Sequence, residues 1–195
     1  MIRLFTALCK TMLESLTDGA IFQESTDGFK HHGEKCPSCG ATGKLAEYGK
    51  YNRSLVSIHK KKVGESRVSP LRFSCASCGS THALLPDIIT PYSPYSLRFK
   101  LCALIAYFKR DTTVEGVCKQ FGIAVSTIYA WKGLLLSHKE LMLGVLASRK
   151  ESAHAFLIGL LSSADLSARL RGFHSKHAHS FLQGRSKVAA QTRPP

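Results

Sequence analysis

The chain has 195 residues, of which 44% are hydrophobic, so it can form one or two domains, or several small modules. No stretch approaches the roughly 18 apolar residues that a membrane helix needs, and we therefore expect no membrane-spanning segment. The formal net charge is +14, and the excess lies in residues 44–195, which carry 23 basic and eight acidic side chains. Such a charge favours a polyanionic partner, either nucleic acid or an anionic membrane surface, over a basic protein with no such partner.

The N-terminal segment, residues 1–33, is predicted to be an amphipathic helix followed by a loop from residue 18. Its apolar residues recur every four positions, at Leu4, Leu8, Met12 and Leu16. Lys10 and Glu14 interrupt the apolar run that an export signal requires. We therefore expect a cytoplasmic, nucleoid-associated protein whose cysteines bind metal rather than form disulfides.

Residues 34–82 are predicted to form a zinc ribbon, because two near-identical segments, CPSCG and CASCG, supply Cys36, Cys39, Cys75 and Cys78. Zn²⁺ accepts four thiolates tetrahedrally, and a two-residue gap lets both sulfurs of a pair reach one ion. A glycine directly after each pair suits the tight turn. We expect one structural Zn²⁺ per chain, because four cysteines fill the coordination shell, whereas a catalytic zinc ion keeps one position open. A redox role is less typical of paired segments of this kind.

Three histidines near the cysteines, His31, His32 and His82, are alternative ligands. Between the cysteine pairs, residues 45–57 and 67–74 have strand-like composition, which places the tip of a hairpin at residues 59–62. The tip carries Lys60, Lys61 and Lys62, which we predict to contact DNA, although a run of lysines is equally typical of a solvated surface.

A connector over residues 83–95 contains three prolines, which prevent a long helix. Its apolar residues are expected to pack against a neighbouring element: Leu84, Leu85, Ile88 and Ile89. Cys9, Cys102 and Cys118 lie in helical apolar patterns and are expected to be small buried hydrophobic residues.

Residues 96–172 are predicted to be helical, and residues 173–195 a basic, disordered tail. A buried face is predicted over Leu97, Leu101, Leu104, Ile105 and Phe108. Predicted N-terminal caps are Thr112 (with Glu115), Ser126, and Ser137 (with Glu140), the last opening a helix to about residue 148. A further helix is expected over about 152–162.

The segment TVEGVCKQFGIAVSTIYAWKGLL, residues 113–135, is predicted to be a helix-turn-helix, with Gly122 in the turn. The predicted packing residues are Val114, Val117, Phe121, Ile123, Val125, Ile128 and Trp131, with Cys118 at the close approach of the two helices. The second helix then presents Ser126, Thr127, Tyr129 and Lys132, whose hydroxyl and ammonium groups can bind base edges or phosphates. The alternative is a helical hairpin within a bundle.

The chain resembles a family of bacterial proteins associated with insertion sequences. Their pattern is a CPxCG…CxxC ribbon, a T-H-x-L-L-P stretch and a helix-turn-helix, matched here by Cys36–Gly40, by Cys75 and Cys78, by Thr81–Pro86 and by Val114–Trp131. The resemblance implies a transposase-like DNA-binding protein. Full transposases of the acidic-triad type hold two Mg²⁺ ions with three carboxylates. Past the helix-turn-helix this chain has only Glu140, Glu151 and Asp165, in a short helical segment, so we expect no enzymatic activity.

The sequence therefore predicts an α+β protein of small modules that contains zinc and binds double-stranded DNA sequence-specifically without catalysis. Its target is expected to be the end of a mobile element or a promoter. A separate transposase or recombinase and a second copy of the chain are the protein partners expected, with no membrane contact. Two alternatives stay open: a truncated or active insertion-sequence transposase, and a zinc-ribbon adaptor that binds RNA or protein.

Overall fold

The computed structural model describes residues 1–6 and 8–184, which form an α+β fold. In chain order its elements are β1 (Ile2–Leu4), α1 (Lys10–Ser15), α2 (Asp18–Thr26), β2 (Leu45–Lys50), β3 (Arg53–His59), β4 (Lys62–Val68), β5 (Leu71–Cys75), β6 (Thr81–Pro86), α3 (Leu97–Lys109), α4 (Val114–Phe121), α5 (Val125–Leu143), α6 (Val145–Lys150), α7 (Ala153–Leu161) and α8 (Leu166–His177). Among the residues described, no helix has the length and apolar character needed to cross a membrane.

The N-terminus forms a strand where the sequence predicts a helix. β1 pairs in parallel with β6, with Ile2 opposite Leu84, and completes a four-stranded sheet of order β1-β6-β5-β2. Of the predicted N-terminal helix, only the short α1 forms. The segment predicted to be a loop contains α2, whose N-cap Thr17 accepts a hydrogen bond from the Ala20 amide. Pairing with a distant, largely buried strand outweighs the local helical pattern, because it satisfies the backbone groups along the open edge of β6.

β3 and β4 form a separate antiparallel hairpin whose tip lies where the sequence predicts it. His59 pairs with Lys62, and both turn residues, Lys60 and Lys61, have positive φ, of 48° and 63°. Two consecutive positive φ values are characteristic of the tight type I′ hairpin turn, which is normally rich in Asn and Gly. The apolar face of the hairpin packs against α2 and α3 rather than on the four-stranded sheet.

The helical region differs from the prediction mainly at its caps. Thr113, not Thr112, caps α4, by accepting a hydrogen bond from the Gly116 amide at 3.1 Å. Ser126 lies inside α5, whose N-cap is Ala124. α5 also passes through the predicted start of a new helix at Ser137 and ends only at Leu143, because Leu135 and His138 continue its buried face. α7 lies within the helix expected over about 152–162, and Ser152 is its N-cap.

The predicted disordered tail is folded in the part that the structure describes. α8 extends to His177, and beyond it Phe181 and Leu182 are buried. His138 of α5 accepts a hydrogen bond from the Leu182 amide at 3.0 Å, and burial lowers the pKa of His138 to about 4. The His138 imidazole is therefore neutral at pH 7, and its Nδ1 atom can accept this hydrogen bond. Residues 185–195 of the predicted tail lie outside the described residues.

The buried residues divide into two clusters. The small core, which surrounds the cysteines, comprises Ile2, Cys36, Leu45, Phe73, Cys75 and Leu84. The main core contains the hairpin β3–β4 and residues from every helix except α6. Polar contacts also connect its parts. The Arg98 Nη2 atom of α3 lies 2.5 Å from Asp18 Oδ1 of α2, and Asp87 Oδ1 accepts a hydrogen bond from the Thr6 hydroxyl at 2.9 Å.

Candidate metal centre and nucleic-acid interface

The four cysteines lie on two tight turns that face each other. Gly40 and Gly79 follow the pairs with φ of 74° and 69°, a conformation that glycine adopts without strain. Each turn is closed by a backbone hydrogen bond, from the Gly40 amide to the Cys36 carbonyl at 2.9 Å and from the Gly79 amide to the Cys75 carbonyl at 2.8 Å. The antiparallel pairing of β2 with β5, in which Leu45 lies opposite Cys75, then brings the turns together.

The distances between the sulfur atoms fit a single tetrahedral ion. Cys36 Sγ lies 3.7 Å from Cys78 Sγ, and Cys39 Sγ lies 3.7 Å from Cys75 Sγ. All four sulfur atoms lie within 4.8 Å of one another. Four thiolates bound tetrahedrally to zinc at about 2.3 Å would be separated by ~3.8 Å, whereas a disulfide requires about 2.05 Å. The predicted convergence of the four cysteines is confirmed, and the cluster is a potential metal site.

Backbone amides prepare two of these thiols for ionisation. The amides of Cys39 and Ser38 lower the pKa of Cys36, and the Ser80 hydroxyl and amide lower the pKa of Cys78 to about 6. The Ala41 amide also favours the Cys39 thiolate, but burial and the neighbouring sulfurs outweigh it and raise the pKa of Cys39 to about 12. Four adjacent thiols cannot all ionise without a compensating cation, so this donor set fits a metal ion.

His82 contacts one of the cysteines and lies beside the group of four. Its Nε2 atom lies 3.3 Å from Cys36 Sγ, its side chain is buried, and burial lowers its pKa. His31 and His32 stack on each other with ring centroids 4.3 Å apart, and His31 packs on Phe73. Of the three histidines, His82 is therefore the one with a recorded contact to a cysteine sulfur, and the Cys78-x-x-x-His82 spacing was its signal in the sequence.

α4 and α5 form a pair of helices joined by a three-residue turn and packed on α3. Gly122 ends α4 in the left-handed conformation, with φ 64° and ψ 38°. The predicted packing residues are largely buried: Val117, Cys118, Phe121, Ile123, Ile128 and Trp131. Trp131 makes an edge contact with Phe99 of α3, with ring centroids 6.1 Å apart. Val125 is the exception, since its side chain is exposed at the start of α5.

The first turns of α5 present polar side chains to solvent, as predicted. Ser126 and Tyr129 are exposed, and Thr127 is partly exposed. Lys132 is held between two tyrosines, with its Nζ 5.7 Å from the ring centroid of Tyr129 and 5.6 Å from that of Tyr107. Tyr107 belongs to α3, and sequence reasoning missed it because no local pattern relates it to α5.

The lysines of the hairpin tip lie beside the helices. Lys60 and Lys61 line a cleft of about 580 Å³ together with Lys109 of α3 and Gln120 of α4. Lys62 is exposed at the start of β4. The hairpin tip and α4 therefore both border the last turns of α3.

Residues 36–131 match the model of a family described as a domain of unknown function (DUF6431). The match begins at the first cysteine of the cluster and ends at Trp131 in α5. No curated protein and no solved structure matches the chain. The matched region contains the four cysteines, the hairpin tip and the start of α5, and stops one residue before Lys132; the match assigns the region no activity.

Proposed function

We propose that the protein binds double-stranded DNA sequence-specifically, with α4 and α5 as a helix-turn-helix and α5 as the recognition helix. The observation that carries this proposal is the α4–α5 pair itself. A short turn at a left-handed glycine joins the two helices, a buried face packs them on α3, and polar residues occupy the exposed start of α5. This is the arrangement that places a helix N-terminus in the major groove.

The chemistry of the exposed residues supports contacts with bases and phosphates. Ser126 and Thr127 lie in the first turn of α5, where free amides and the helix dipole favour a phosphate oxygen. Tyr129 extends from the same surface, and Lys132 offers a phosphate contact. Lys60, Lys61 and Lys62 supply further phosphate contacts, and the net charge of +14 attracts the duplex over a longer range.

We propose that the four-cysteine cluster holds one structural Zn²⁺ and forms a zinc ribbon. Thiolates are the ligands that select zinc over Mg²⁺ or Ca²⁺, and four of them leave no position for a reacting water. The ion would fix the relative position of the two turns, and so of β2 and β5. A structural role follows, because the ion joins segments that share only a small hydrophobic core.

We propose that the protein acts without a catalytic centre of its own. Within the described residues, Glu140, Glu151 and Asp165 do not form a group of potential metal ligands. Any strand cleavage at a mobile-element end would then need a separate transposase or recombinase. The resemblance to insertion-sequence proteins makes such ends, beside promoters, the first targets to test, and a homodimer would suit a palindromic site.

Selection from a random duplex pool tests the proposal. We expect enrichment of one duplex motif by the zinc-loaded protein, with a log–log salt slope of roughly −5 for about six phosphate contacts. Single-stranded RNA serves as the competitor. Displacement of all duplex by RNA, or failure to enrich any motif, would overturn the proposal in favour of an adaptor. Cleavage of the enriched duplex with Mg²⁺ that Glu140→Gln or Asp165→Asn abolishes would overturn the non-catalytic assignment.

A further inference from the structure

A groove of about 700 Å³, to whose lining α5 contributes no residue, lies between the hairpin and the four-stranded sheet. Its walls come from β3, from β5 and β6, and from the turn at residues 91–94. This volume falls within the range of roughly 300–1,000 Å³ that is usual for sites binding small organic groups. The groove has two positively charged side chains, Arg53 and Arg72, and no aspartate or glutamate in its lining.

Tyr92 at the rim of the groove has an unusual backbone conformation. It follows Pro91 in a turn and has φ of 57°, a value that glycine or asparagine normally supplies after a proline in a turn. Its side chain is nevertheless 68% exposed, so packing does not explain the choice of a tyrosine. An exposed aromatic residue held in a strained backbone conformation points to a role in contact with a ligand.

The two arginines make different contacts. Arg53 donates hydrogen bonds to the carbonyl oxygens of Thr90 and Ser93, and so fixes the turn that carries Tyr92. Arg72 donates to the Thr81 hydroxyl at 3.2 Å, and its guanidinium lies 5.4 Å from the ring centroid of Tyr48. Because Tyr48 is 62% exposed, aromatic surface continues past Arg72 outside the groove.

Exposed tyrosines alternate with arginines along this surface, as bases alternate with phosphates along a chain of nucleotides. Guanidinium groups bind phosphates with paired hydrogen bonds, and aromatic rings stack on base faces. In a duplex those faces are covered by neighbouring base pairs, so tyrosine rings at a groove can reach them only when the strand is unpaired.

We propose that this groove binds single-stranded nucleic acid, with one base stacked on Tyr92 and an adjacent phosphate on Arg72. The single strand enters a surface made by β3, β5 and the 91–94 turn, distinct from α5. The inference stands on these residues alone and does not depend on duplex recognition by the helix pair.

Fluorescence anisotropy of a labelled oligothymidine strand, at about 150 mM salt and with the zinc-loaded full chain, tests the inference. Tyr92→Gly removes the ring and also relieves the positive-φ strain, so we expect weaker single-strand binding by roughly 5- to 150-fold with no loss of thermal stability. Tyr92→Phe keeps the stacking surface and should bind nearly as the unsubstituted protein does. Arg72→Gln should weaken binding and flatten its salt dependence.

Two controls separate the groove from general charge and from the proposed recognition helix. Arg149→Gln removes an exposed positive charge on α6, outside the groove, and should leave single-strand binding almost unchanged. Lys132→Ala should weaken duplex binding and leave single-strand binding intact. The inference is overturned if Tyr92→Gly binds the strand as tightly as Tyr92→Phe does, or if Arg149→Gln reduces binding as much as Arg72→Gln.

Discussion

Within the described residues, the small core contains six buried hydrophobic side chains and the main core contains thirty. Two of the six are Cys36 and Cys75, which are also proposed metal ligands. A cluster of that size cannot offset the conformational entropy of the segments it orders, whereas thirty buried residues form an ordinary domain core. We therefore propose that the small core depends on a bound metal ion, whereas the main core is held by apolar burial.

The two cores are not formed by two consecutive parts of the chain. The hairpin β3–β4 lies between the two cysteine pairs in sequence, but Leu55, Ile58 and Val68 are buried in the main core. The connection from β6 into α3 likewise begins in the small core, at Leu84, and ends in the main core, at Leu97. Loss of metal should thus release the turns and β2 while the hairpin stays attached to the helices.

The largest effect is expected from removing the proposed ion. Cys36→Ser combined with Cys75→Ser should abolish zinc binding and unfold the small core, because structural zinc binding contributes about 10–16 kcal/mol that is coupled to folding. Hydrogen exchange should become fast in β2 and β5 and stay slow in α3 and α5. Cys9→Ser, outside the cluster, is the matched control. Full zinc content in the double variant would refute the four-thiolate site.

Two phenylalanines give a matched test of the two cores, since Phe99 and Phe73 are both almost completely buried. Phe99→Ala should destabilise the main core by about 3–5 kcal/mol without changing zinc affinity. Phe73→Ala should lower zinc affinity and change the main thermal transition little. Denaturant unfolding and chelator competition measure the two quantities. If both variants shift both quantities equally, the cores are one cooperative unit.

The proposed recognition helix belongs to the main core, so its DNA contacts should survive damage to the small core. Thr127→Ala should change the preferred duplex sequence and reduce the binding free energy for the original sequence by about 1–3 kcal/mol. Lys132→Ala should weaken the binding of all duplexes similarly. The zinc-free protein should keep the same preference with lower overall affinity. Loss of the preference on removal of zinc, with α5 still protected from exchange, would place sequence reading in the ribbon instead.

The last expected effect concerns His82, whose Nε2–H can donate to the Cys36 sulfur. His82→Ala should weaken zinc binding about 10- to 100-fold, as is usual for partners of metal ligands. His82→Gln restores an N–H donor and should recover part of the affinity. The charge-transfer band of the Co²⁺-substituted protein should shift in His82→Ala while four-thiolate intensity is retained. Three-thiolate intensity in the unsubstituted protein that rises to four-thiolate intensity in His82→Ala would show His82 to be a ligand.

Several elements could be predicted because their signals are local. The cysteine pairs with their glycines determine two tight turns, and the lysine-rich tip separates two strand-like runs. The helical period across residues 97–143 correctly indicates buried faces, although the caps at Thr112 and Ser126 and the break at Ser137 were wrong. Cap choice depends on which hydroxyl meets a free amide, and adjacent Thr112 and Thr113 present the same signal in sequence.

By itself, the amino-acid sequence determined the two cysteine-pair turns and the α4–α5 pair, since each arises from residues close together in the chain, and its composition determined the positive charge. Only the tertiary structure decided that β1 pairs with β6, that the hairpin joins the helices, and that Tyr92, Arg72 and Tyr48 adjoin one groove. Those arrangements rest on contacts between segments distant in sequence. No periodicity or motif encodes such contacts, because they follow from which apolar faces remain to be buried once the local elements have formed.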